Sequence, residues 1–130
     1  MIGTLSLKGE KILITGGAGL LGSTIAKRCL AEGASVIVFD NLSTGRKENI
    51  AELLDDPQFT FVFGDCNRHH EVAGVFLTHR PTYVFHYAAV VGVKRTVEQP
   101  FLVFEDITGI KNVFEHAALC GVKKLLFASF

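Results

Sequence analysis

Ile12–Gly22, ILITGGAGLLG, decides the fold. An apolar, β-branched run enters a glycine-rich turn, and the turn opens an amphipathic stretch, the order strand–turn–helix. Gly16, Gly17, Gly19 and Gly22 fit either GxGxxG or GxxGxxG. Eighteen residues past Gly22 a second apolar run, Val36–Phe39, ends on Asp40. Glycine turn and strand-terminal acid together are the fingerprint of a dinucleotide-binding βαβ unit. The glycines permit a tight turn and a close backbone approach to a pyrophosphate, which meets free N–H groups at the helix N-terminus. Asp40 is expected to accept hydrogen bonds from the adenosine ribose hydroxyls and to repel a 2′-phosphate, which favours NAD over NADP. Arg46 and Lys47 lie close enough along the chain to keep NADP as the less favoured alternative. A P-loop is excluded, because Ser23 stands where that motif requires lysine.

Composition narrows the class. The 130 residues make one domain, long enough to bury roughly two-thirds of the unfolded surface. Lys and Arg number 13 and so do Asp and Glu, which gives no electrostatic footprint for nucleic acid or an anionic membrane. The hydrophobic fraction is 48%, as in parallel sheets covered on both faces. The longest uncharged stretch, Ile12–Ala26, is too short to span a bilayer, and no secretory signal is expected. Cys29, Cys66 and Cys120 form no CxxC pattern, so neither a disulfide framework nor structural zinc is expected, and a reducing, cytoplasmic compartment fits.

Apolar runs alternate with amphipathic stretches along the chain, the α/β pattern. Strands are expected near Lys11–Thr15, Ser35–Phe39, Thr60–Phe63, Tyr83–His86 and Lys124–Ala128. Helices are expected near Leu20–Glu32, Lys47–Leu54, His70–His79 and Phe101–Cys120, with Gly33 and Gly121 ending the first and last. Pro57 and Pro81 sit before strands, where a helix has to stop. Right-handed crossovers then give a Rossmann-like, doubly wound parallel sheet of order 3-2-1-4-5. The last helix places Val103, Ile107, Ile110, Phe114 and Ala117 on one face, expected to pack on the sheet. Phe101, Leu102 and Phe104 add a second apolar patch, which implies a missing helix or a second subunit, read as a homodimer through Phe101–Cys120.

TGGAGLLG and DNLSTG (Asp40–Gly45) resemble the extended short-chain dehydrogenase/reductases, and within them the NAD-dependent nucleotide-sugar epimerases and dehydratases. Gly64–Asp65, FHYAAV (Phe85–Val90), Pro100, Gly109, NVFEHAA and GVKKLLFAS extend the likeness over essentially the whole chain. The resemblance implies that Gly16, Gly19, Leu20, Leu21 and Gly22 serve the pyrophosphate. It places Asp40, Asn41, Ser43, Thr44 and Gly45 around the adenosine ribose and its phosphate, and Asp65 and Cys66 beside the adenine. Tyr87, Ala88 and Ala89 would line the path from pyrophosphate to nicotinamide ribose. All four loops leave the carboxyl ends of strands, where open α/β sheets bind ligands.

Two departures stand out. Where the family has Asn–hydrophobic–x–Gly–Thr in the long helix, this chain has Asp106, Ile107, Thr108, Gly109 and Ile110. The family's catalytic Ser/Thr position is expected at Phe130, and neither Tyr83 nor Tyr87 is followed by lysine four residues on. No catalytic residue is therefore assigned. The expected unit is residues 1–130 of an NAD-binding Rossmann domain, incomplete after the fifth strand and without its Tyr-x-x-x-Lys and sugar-binding segments. Such a unit binds NAD without catalysing, as part of an enzyme that acts on a nucleotide sugar through transient hydride transfer. Two alternatives are a non-catalytic dinucleotide-sensing module and half of a SAM-dependent methyltransferase, which DNLSTG disfavours. His69 and His70 beside Asp65 and Cys66 lack metal-ligand spacing, and no metal is assigned. His86 reads as a packed histidine, Cys66 has no base beside it, and His79 and His116 read as ordinary helix residues. Leu125, Leu126 and Phe127 would leave the last strand an apolar edge, a pairing hazard.

Overall fold

The computed structural model describes residues 6–88, Glu98 and residues 101–127, without the side chains of Leu102, Val103 and Glu105. In order come β1 (Lys11–Thr15), α1 (Leu20–Ala31), β2 (Ser35–Asp40), β3 (Phe59–Phe63), α2 (His69–His79), β4 (Tyr83–His86), α3 (Phe101–Leu119) and β5 (Lys124–Phe127). The strands form one parallel sheet of order β3-β2-β1-β4-β5, as the alternating pattern implied. Ile12 registers with both Val36 and Tyr83, and Asp40 with Phe63, so the carboxyl ends align along one edge.

Period-two alternation splits the core into two layers. Ile12, Ile14, Val36 and Val38 pack with Ala26 and Cys29 of α1 and with Ile50 and Leu53. Leu13, Ile37, Phe39 and Val84 pack with Val72, Val75 and Phe76 of α2 and Val113 and Ala117 of α3. Both faces of the central strands are covered, which accounts for much of the hydrophobic fraction, whereas Leu126 and Phe127 of the edge strand β5 are exposed.

Most element boundaries fall within a residue of expectation, but two readings change. Lys47–Leu54 is not an α-helix. It is two 3₁₀ turns, Lys47–Asn49 and Ala51–Leu53, broken at Ile50. In 3₁₀ geometry residues three apart point the same way, so Ile50 and Leu53 both drop into the core. On α3 the covered face is Gly109, Asn112, Val113, His116 and Ala117. Ile107 and Phe114, expected against the sheet, are exposed. In this rotation Asn112 reaches the Cys66 carbonyl, a buried hydrogen bond that hydrophobic spacing does not register, and Val113 and Ala117 enter the core. α2 ends with Arg80 at φ 48°, since the following proline denies it the right-handed helical region.

Candidate functional site

β1 delivers Thr15 to the carboxyl edge and the chain turns at once. Gly16 has φ +70°, and a Cβ there would come 2.6 Å from the Tyr87 carbonyl carbon and 2.7 Å from Ala88 N. A side chain is therefore excluded by the β4 exit, a close approach within the protein itself. Gly22 is needed for a similar reason, because a Cβ would meet the Gly16 carbonyl oxygen at 2.6 Å. Gly19 differs: its missing Cβ would face only the Gly16 oxygen, at an ordinary 3.4 Å.

Gly19 is the N-cap of α1 and gives no side-chain cap, and the first turn holds no acidic residue. Leu20 and Leu21 are exposed there. The helix thus presents an uncapped, electropositive end beside an open backbone, the arrangement that receives a phosphate.

Asp40 is buried at the end of β2 and accepts two backbone hydrogen bonds. Oδ2 takes the Ala18 N–H at 3.0 Å and Oδ1 takes the Leu42 N–H at 2.7 Å. An ionised carboxylate offers about four acceptor positions, so roughly half remain for ribose hydroxyls. Asn41 Oδ1 accepts the Ser43 N–H at 3.0 Å, and Leu42 adopts φ 61° between these two turns. Ser43 and Thr44 are exposed and Gly45 lies against Asp40.

Beyond β3, Asp65 Oδ1 accepts the Asn67 N–H at 2.9 Å, while the Asp65 N–H donates to Glu71 Oε1 at 3.0 Å. Cys66 turns inward. Its side chain belongs to the core layer under α2 and α3. Burial, followed by the charge of Asp65, pushes its thiol up to about 12 against the opposing pull of Thr15, so it is no nucleophile at neutral pH. Asn112 Nδ2 donates to the Cys66 carbonyl at 2.8 Å, and Gly109 lies against Asn67 and Cys66. α3 thereby fixes the Asp65–Asn67 loop. Asn112 supports this loop, a role that the sequence did not assign although the residue opens the NVFEHAA run.

Thr15 Oγ1 accepts from the Tyr87 and Ala88 N–H groups at 3.1 and 3.3 Å and lies 2.6 Å from His86 Nδ1. The Thr15 hydroxyl and His86 Nδ1 thus share a buried hydrogen bond that ties β1 to the β4 exit. Burial pushes His86 down to about 4. This histidine is packed and neutral, and it braces the β4 exit. Tyr87 is half-buried and stacks on Phe85 at 6.4 Å. His116 is also buried, its Nδ1–H donating to the Asn112 carbonyl at 2.8 Å, and His69 lies against its ring. Ala89, Pro100 and Phe130 lie outside the described residues.

The structure thus brings Gly16, Gly19, Leu20, Leu21, Gly22, Asp40, Asn41, Ser43, Thr44, Gly45, Asp65, Tyr87 and Ala88 to the carboxyl edge of one sheet. Cys66 reaches that edge with its backbone. Among the described residues no group of three or more His, Cys, Asp or Glu could hold a metal, and no helix is long and apolar enough to cross a membrane.

Comparison with known proteins agrees with this geometry. The sequence profile of the NAD dependent epimerase/dehydratase family matches residues 12–129. The chain is similar to a UDP-glucose 4-epimerase of Mycolicibacterium smegmatis, 37% identical over 120 residues, covering 92% of this chain and 38% of that protein. A UDP-N-acetyl-alpha-D-glucosaminuronate decarboxylase of Bacillus cytotoxicus is 37% identical over 122 residues, covering 92% and 36%. The crystal structure of Thermus thermophilus UDP-glucose 4-epimerase in complex with NAD superposes with a TM-score of 0.83 at 42% identity, covering 92% of this chain and 37% of that one. The chain spans a little over a third of the length of these relatives. It belongs to the NAD dependent epimerase/dehydratase family.

Proposed function

We propose that this member of the NAD dependent epimerase/dehydratase family is the NAD-binding portion of an enzyme that acts on a nucleotide sugar. The observation that carries the reading is the pairing of two features on one edge. The N-terminus of α1 is uncapped beside Gly19, and Asp40 keeps free acceptor positions at the end of the neighbouring strand. A dinucleotide has the matching pair of groups, an anionic pyrophosphate and a ribose diol. Leu20, Leu21 and Gly22 would meet the pyrophosphate, the Asp40–Gly45 loop the ribose, and Asp65 the adenine, while Tyr87, Ala88 and Ala89 would lie toward the nicotinamide ribose. The Asp40 charge disfavours a 2′-phosphate, so NAD is preferred over NADP.

NAD held at this edge would supply a hydride acceptor for a sugar carbon. That chemistry also needs a base for the sugar hydroxyl. The Tyr-x-x-x-Lys pair of the family does not occur among these 130 residues, and His86 and Cys66 are unsuited to the task. These residues are therefore proposed to bind the cofactor without performing catalysis. Relatives that include both epimerases and a decarboxylase of nucleotide sugars support nucleotide-sugar chemistry as the reaction class. We also propose a homodimer through the outer face of α3, where Phe101, Phe104, Ile107 and Phe114 are 77%, 67%, 56% and 45% exposed, and a cytoplasmic location in keeping with free thiols at Cys29, Cys66 and Cys120.

Calorimetric titration with NAD, NADP and S-adenosylmethionine tests the cofactor assignment. NAD should bind with the highest affinity and NADP more weakly. Binding of S-adenosylmethionine alone overturns the reading.

A further inference from the structure

Ala18 is fully buried in the glycine-rich turn, and the end of β2 and the segment after it claim both of its backbone polar groups. Its N–H donates to Asp40 Oδ2 at 3.0 Å. Its carbonyl accepts the Arg46 N–H at 3.0 Å and Asn49 Nδ2 at 2.7 Å. A carbonyl can only accept, so the Asn49 amide has to present its nitrogen. Gly45 lets this wrap close, since a Cβ there would lie 2.8 Å from Asp40 Oδ2 and 3.0 Å from Ala18. Asn49 is itself anchored, because the next residue, Ile50, is fully buried in the core.

The Ala18–Gly19 peptide is rigid and planar, so fixing its two ends fixes its orientation. At one end the Gly19 N–H donates to the Gly16 carbonyl at 3.1 Å. At the other, the carbonyl oxygen is held by Arg46 and Asn49. This plane leads directly into the N-cap of α1.

We propose that Asn49 is a positioning residue for pyrophosphate recognition: by holding the Ala18 carbonyl it sets the turn that presents the first N–H groups of α1 to the phosphates. The inference rests on the reading of that turn as the pyrophosphate site. Asn49 does not contact the ligand. Its influence reaches the phosphates through the Ala18–Gly19 peptide plane. Asp40, on the adenosine side, meets Ala18 through the N–H of the preceding peptide and is held independently by the Leu42 N–H; among the described residues, the loop at Asp65 makes no bond to Ala18 or Asn49.

The separation between phosphate and adenosine supplies the test. Asn49→Ala is titrated with NAD, ADP and adenosine, with urea unfolding followed in parallel. Affinity for NAD and ADP should fall about fivefold or more, the scale of one lost hydrogen bond, and affinity for adenosine should change less than about twofold. Asn49→Asp, nearly isosteric but without the donor and with an added charge, should lose at least as much on the two phosphate ligands. Equal losses on all three ligands, or undiminished NAD binding in Asn49→Ala, overturn the proposal. Wild-type protein that binds adenosine but neither NAD nor ADP overturns the pyrophosphate-site reading itself, and that result is visible before any variant is compared.

Discussion

Asp40 is proposed to do two jobs with one carboxylate: it anchors Ala18 and Leu42, and its remaining acceptor capacity at the end of β2 would serve a ribose. Asp40→Ala should therefore weaken NAD binding about tenfold and narrow the preference over NADP, read by titrating both cofactors. Unchanged discrimination would remove Asp40 from cofactor choice. His86 gives a pH dependence. Burial holds its folded pKa down at about 4 against an ordinary 6.5, so the unfolded chain takes up a proton that the folded one refuses. The stabilisation is complete above pH 6.5 and is lost as pH falls toward 4, amounting to about 2 kcal/mol between pH 7.5 and pH 5. His86→Asn keeps a hydrogen-bond partner for the Thr15 hydroxyl and does not titrate, so urea unfolding should show a smaller loss over that interval. An identical loss in both proteins would mean that His86 is not responsible. Of these details, the sequence showed Asp40 by its place at a strand end. It did not show the Thr15–His86 contact, which joins residues 71 positions apart.

The elements tell the same story at a larger scale. Five strands and the first two long helices were legible, because burial on two faces leaves long apolar runs and amphipathic helices leave clear spacing. The Lys47–Leu54 segment misled, since Ile50 and Leu53 three residues apart satisfy a helical pattern and a 3₁₀ pattern equally. α3 misled by its rotation. Its outer face carries Phe101, Phe104, Ile107 and Phe114, more apolar surface than a solvated helix usually shows. If a second copy covers it, light scattering at micromolar concentration should report a dimer, and Phe104→Glu combined with Ile107→Glu should convert it to a monomer. Urea unfolding keeps that result interpretable: the monomer has to retain a cooperative transition. A wild-type monomer across that range would assign the face to some other partner.

At the scale of the whole molecule, every residue assigned to the cofactor and described by the structure lies on one edge of one sheet, although the assignments come from four separate loops. That convergence follows from topology. With all strands parallel, each carboxyl end faces the same way, and the change of winding direction beside β1 opens a crevice there. α3 braces the loop after β3 through Asn112, and the turns after β2 brace the glycine loop through Asn49. The site is carried by loops, and the helices and turns behind them hold those loops in shape.

By itself the sequence determined the sheet order, the crossovers and the edge on which the candidate cofactor residues gather, because these depend on local periodicity, glycine spacing and the handedness of the chain. Tertiary structure alone decided which face of α3 is buried, which way Cys66 points, and that Asn49, Asn112 and His86 support the loops. Those outcomes depend on where buried polar groups find partners, and hydrogen bonds spanning 31, 46 and 71 residues leave no local pattern to read.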